Sequence, residues 1–97
     1  MRLPKSLSLL RRMRDARLRQ LRHSAPLLAG SLVVLPRHSS RYLTDKVAGK
    51  TRTLYVPLKR LTEVTVWNQH HKKARQLLTE LSEIQRAILL AEIRLSR

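Results

Sequence analysis

The sequence predicts an α+β protein with a basic N-terminal helix, a small three-stranded antiparallel sheet containing a β-hairpin, and a long coiled-coil-like C-terminal helix. Three observations carry that prediction. The apolar residues are almost all Leu, Ile, Val and Ala, with only Tyr42, Tyr55 and Trp67 as aromatics, which suits helix packing better than a β-sandwich. Two alternating segments flank Ala48-Gly49, the pattern of a tight hairpin. Beyond Pro57 neither Gly nor Pro occurs, so one helical pattern can run unbroken.

Residues 6–22 read as the first helix, with Ser6 able to cap it and Leu, Arg, Met and Gln as good helix formers. Ser24-Ala25-Pro26 ends it, because Pro26 disfavours helical geometry in Ala25. Gly30 marks a turn or a close backbone approach, and Ser31–Leu35 reads as a short strand closed by Pro36. Residues 36–40 are a loop. The hairpin takes residues 41–47 and 51–56. Tyr42, Thr44 and Lys46 alternate with Leu43, Asp45 and Val47 on the first strand, and Thr53 and Tyr55 with Leu54 and Val56 on the second. Pro57 ends pairing because it has no N–H.

From Leu58 to Leu95 the pattern predicts one long helix, or two with a kink near His70-His71. Trp67, Ala74, Leu81, Ile88 and Leu95 recur every seven residues, and His70, Leu77, Ile84 and Ala91 fill the second seam position. Leu78 widens the stripe, and Leu89, Leu90 and Ile93 make the last turns apolar nearly all round. Such a surface must pack on the hairpin, the first helix, a second copy or another protein. The candidate interface residues are Trp67, Ala74, Leu77, Leu81, Ile84, Ile88, Ala91 and Leu95. The expected organisation is a basic helical arm over 1–26 and a single small domain over 27–97, with the sheet at 31–56 and the helix at 58–95.

Charge supplies the functional signal. Twenty-one Lys and Arg face six acids, a formal net charge of +15. Residues 1–60 hold +13 of it and residues 61–97 only +2. A chain this basic attracts phosphate backbones through charge neutralisation and counterion release. The candidate nucleic-acid-binding residues are Arg11, Arg12, Arg14, Arg17, Arg19 and Arg22 on the first helix, with Arg37, Arg41, Lys46, Lys50 and Arg52 around the hairpin. Arg in place of Lys favours bidentate phosphate contacts. Aromatics are too few for a base-stacking platform, so backbone contact is expected over base readout.

Other chemistries find no support. With no cysteine, disulfides and thiolate metal sites are excluded. His23, His38, His70 and His71 do not form a ligand set, although His70 in the seam can act as a pH-sensitive polar insert. Gly49-Lys50-Thr51 lacks the upstream Gly of a P-loop, where Thr44 stands, and precedes a strand instead of a helix. No acid–base pair stands ready to activate Ser24, Ser39 or Ser40. Neither an enzyme activity, a cofactor, a metal nor a small-molecule substrate is expected. No run approaches the length of a membrane span. The first 22 residues hold eight Lys/Arg and one acid, as a mitochondrial presequence does. Leu3, Leu7, Leu10, Leu18 and Leu21 share one side there, but Arg14 and Arg17 interrupt it.

From Gly30 onward the chain resembles a small bacterial family often encoded beside transposases and other mobile elements. The resemblance rests on Gly30-Ser31-Leu32-Val33, Tyr42-Leu43-Thr44, Gly49-Lys50-Thr51-Arg52-Thr53, Tyr55-Val56-Pro57 and Leu81-Ser82-Glu83-Ile84, in that order. Members commonly carry a cysteine cluster between the first strand and the hairpin. Here that stretch is Pro36 to Ser40, without cysteine, so no metal role carries over. What the resemblance implies is context, as an accessory to DNA mobility.

The expected function is that of a basic accessory protein which contacts DNA or structured RNA backbones and docks on a recombinase, transposase or ribonucleoprotein, or dimerises, through its last helix. A cytoplasmic, nucleoid-associated bacterial location follows from that reading, with mitochondrial import as the lesser alternative. The alternative function is a non-catalytic structural subunit of a large ribonucleoprotein or protein assembly.

Overall fold

A computed structural model describes residues 1–35 and 40–96. Its elements are α1 (Leu7–Arg22), β1 (Ser31–Leu35), β2 (Ser40–Val47), β3 (Lys50–Val56), a 3-10 turn (Leu58–Arg60) and α2 (Leu61–Leu95). The predicted α+β class holds. β2 and β3 each begin one residue before the expected positions. The last helix opens with the 3-10 turn and then continues without a break at His70-His71.

The chain divides into two compact units, Met1–Ser24 with Lys73–Arg97, and Ala25–Lys72. The basic helix is not free-standing, because its apolar stripe finds cover on the second half of α2.

In the first unit, the Ser6 hydroxyl accepts a hydrogen bond from the Leu9 N–H at 3.4 Å and starts α1. At the other end the Gln20 carbonyl accepts from the Ser24 hydroxyl at 2.8 Å and from the His23 N–H at 3.2 Å. Leu10 is buried against Ile84 and Ile88, with Leu3, Leu7, Met13, Ala87 and Ala91 around them. Arg17 pairs with Glu80 and Arg11 with Glu92, so α1 runs antiparallel to this part of α2. Burying a Leu or Ile side chain contributes about 1.5–3 kcal/mol. Among the described residues the large side chains that are fully buried are Leu10, Leu77, Ile84 and Ile88, so the core is thin.

In the second unit the sheet order is β1-β2-β3, all antiparallel. Ala48 (φ 53°) and Gly49 (φ 79°) both occupy the left-handed region, as a two-residue type I′ hairpin requires. The register sets Leu43 opposite Leu32 and Leu54, and Tyr42 opposite Val33 and Tyr55. Directly paired residues share a face, so the predicted alternation is realised. Leu43 and Val56 are buried on one face. Gly30 (φ 125°) lies so close to β2 that a Cβ would stand 2.7 Å from the Thr44 carbonyl oxygen. Asn68 then fastens the segment before β1. Its side-chain amide donates to the carbonyls of Leu28 (3.0 Å) and Gly30 (2.8 Å), while the Leu28 N–H donates to the Trp67 carbonyl.

Candidate nucleic-acid interface

The predicted cations fall into two groups according to whether the fold has already given them a carboxylate. Arg17 donates to Glu80 at 3.0 Å, with both side chains less than a quarter exposed. That hydrogen bond, together with the charges of Arg17 and Lys73, holds the Glu80 carboxyl below its ordinary value. Arg52 grips Asp45 across the hairpin with two bonds, 3.1 and 2.7 Å, which lowers the Asp45 carboxyl and raises the guanidinium. Arg14 pairs with its neighbour Asp15 at 3.1 Å, and Arg11 reaches Glu92 at 3.8 Å. These two pairs are exposed and contribute little. Arg60 pairs with Glu63.

Five of the six acids are thus occupied by arginines. Among the described residues Arg12, Arg19, Arg22, Lys46 and Lys50 form no ion pair, and all are exposed. Arg41 sits half-buried on β2 between Val34 and Val56. Arg37 lies outside the described residues.

The two units hold separate sets. In the first, Arg19, His23 and Lys73 line a shallow hollow with Ala16, Gln20, Ser24 and Leu77. Lys73 was not among the predicted contacts. The signal for it is the antiparallel docking of α1, which no local pattern announces. In the second unit, Lys46 and Lys50 cluster near the hairpin turn.

The candidate interface residues of α2 divide as well. Ala74, Leu77, Ile84 and Ile88 are buried within the first unit, so their seam is already covered. Leu81 and Ala91 are half-buried there. Trp67 and His70 are half-buried in the second unit, where the position they were expected to hold is taken by the fully buried Asn68. His70 Nδ1 lies 3.0 Å from the Pro26 carbonyl oxygen. Leu95 is exposed, as are Leu78, Leu89, Leu90 and Ile93 on the side of α2 away from Ile84 and Ile88. Leu3, Ala87, Leu89, Leu90 and Ile93 line an apolar groove with Glu83 and Arg86.

Among the described residues no three His, Asp or Glu side chains converge on a metal-sized site. No described helix is long and apolar enough to cross a membrane. No protein-family model, curated protein or solved structure matches the chain.

Proposed function

We propose that the chain is a nucleic-acid-binding accessory protein, holding phosphate backbones through cations the fold leaves uncommitted. The observation that carries this reading is the division of charge. Nearly every carboxylate is occupied by an arginine, while Arg12, Arg19, Arg22, Lys46 and Lys50 remain exposed without one. A protein using arginine only for solubility has no need of such an excess. Neutralising phosphates with these groups releases counterions, and affinity then falls with salt by about 0.9 log units per log unit for each duplex contact. The mobile-element context, a recombinase or transposase partner and a nucleoid location belong to this proposal on the strength of the motif order from Gly30 to Ile84.

A second reading, a structural subunit of a ribonucleoprotein or protein assembly, is favoured by a different observation. Leu89, Leu90 and Ile93 are exposed along the last turns of α2, and Leu78 near its middle, on a unit whose core is thin. The same surface serves docking or dimerisation in the first reading.

The test is a salt titration of full-length protein on duplex DNA and on a hairpin RNA. Deleting the first helix is the wrong control, because Leu10 covers Ile84 and Ile88. Replacing Arg12, Arg19 and Arg22 together by Gln leaves that core intact. The expected result is steep salt dependence in the parent and a slope lower by about 2–3 units in the triple variant. Absence of binding to either ligand at about 50 mM salt overturns the proposal.

A further inference from the structure

The register of the sheet gathers one face whose chemistry differs from everything else on the molecule. Tyr42 and Tyr55 are direct cross-strand partners, their rings 5.7 Å apart between centroids and inclined at 63°. Val33 stands beside Tyr42 on β1. Thr44 and Thr53, then Lys46 and Thr51, continue the same face toward the turn. Tyr55 is 56% exposed and Val33 39%, while the opposite face buries Leu43 and Val56. The opposite face is buried at Leu43 and Val56 but exposes Val34 and Leu54, and Tyr55 and Val33 of the tyrosine face meet solvent.

Charge selects the occupant. The one carboxylate in the strands, Asp45, projects from the opposite face, where Arg52 holds it with two hydrogen bonds. The tyrosine face carries no acid, and Lys46 stands along it from Tyr42 by four residues, roughly 13 Å. Lys46 has no ion-pair partner among the described residues, whereas Lys50, paired with Val47, belongs to the opposite face. An aromatic pair with one ring exposed and one half-buried, followed by threonine hydroxyls and the ammonium group of Lys46, is what an extended polyanion with flat rings would engage. In a duplex the bases are already stacked and their faces closed, so these rings can meet only unpaired bases.

We infer that the Tyr42–Tyr55 face of the sheet stacks the bases of a single-stranded nucleic acid, with Lys46 on its phosphates. This rests on the polyanion reading above and narrows it to single strands for the second unit. The sequence alone points the other way, since three aromatics look too few. The pairing register puts two of them on one spot.

The experiment uses full-length protein and a fluorescein-labelled oligothymidine of about 12 nucleotides, an abasic strand of the same length, and a duplex of equal length. The parent is expected to bind oligothymidine at least about five-fold more tightly than the abasic strand. Tyr55→Ala is expected to lose that preference and to leave duplex affinity within about two-fold, whereas Tyr55→Phe keeps it. Equal affinity of the parent for oligothymidine and the abasic strand overturns stacking, and is also the result if this face serves a protein. So does an equal loss by Tyr55→Ala on strand and duplex, or a loss by Tyr55→Phe. The abasic comparison needs no variant, so a misfolded Tyr55→Ala does not shield the inference. Duplex binding that persists when these fail leaves the general reading standing. Failure of all three ligands removes both.

Discussion

Replacing Asn68 by leucine keeps the branching of the side chain and removes only its polarity. Asn68 is 3% exposed, and its amide supplies hydrogen bonds to the carbonyls of Leu28 and Gly30 at 3.0 and 2.8 Å. Each bond contributes about 1 kcal/mol net, and stranding a buried acceptor costs more than the bond was worth. Losing both places the penalty at about 2–3 kcal/mol. In a chain of this size that lowers Tm by roughly 10–20 °C. Thermal melts followed by Trp67 fluorescence suit the measurement, because Trp67 is the only tryptophan and lies in the same unit. Asn68→Asp is the sharper companion. It keeps the shape but turns an acceptor toward two carbonyl oxygens, so it should destabilise more than leucine at neutral pH. Its carboxyl pKa would be raised by that setting, so the deficit should shrink as the pH falls and the acid becomes a donor. A leucine variant within about 0.5 kcal/mol of the parent would refute the claim that Asn68 clamps the segment before β1.

Three further predictions concern backbone and charge. Gly30→Ala should cost about 2 kcal/mol or more in urea unfolding, because its φ of 125° and a Cβ 2.7 Å from the Thr44 oxygen both oppose a side chain. Gly49→Ala, at φ 79° in open space, should cost about 1 kcal/mol. The depressed carboxyls of Glu80 and Asp45 set the pH dependence: their stabilisation is fully present above the ordinary carboxylate range and is lost as pH falls through their lowered values. Chemical denaturation across that acidic window should therefore show less decline in Glu80→Gln than in the parent, and parallel curves would contradict the Arg17 pairing.

The elements were legible because their signals are local. Ser6 caps, Ala48-Gly49 turns, Pro57 stops the strand, and alternation along 41–47 assigns faces. The arrangement of those elements was not, and the reasons are specific. A heptad stripe states that a helix is covered but not by what, so Ala74, Leu77, Ile84 and Ile88 read equally well as a dimer seam. The stripe also runs on through Trp67 and His70, where the fold instead uses Asn68, a polar residue no hydrophobic pattern would select. Arg17 and Glu80 are 63 positions apart, and only the docked helices make them partners. The cations could be counted from the sequence. Which of them were already spoken for could not.

Among the described residues the sheet ends in two edges that no further strand pairs, β1 and β3. An open edge is a template on which a further strand can add, and natural sheets guard it with charge or brevity. β1 is only five residues long, but it offers Val33, Val34 and Leu35 to solvent. Its protection is the repulsion between copies that each carry +15. A bound polyanion cancels that repulsion. The ligand that the charge attracts is thus also the agent that removes the barrier to edge-to-edge growth, and the protein's tendency to assemble into larger particles should rise as it becomes saturated.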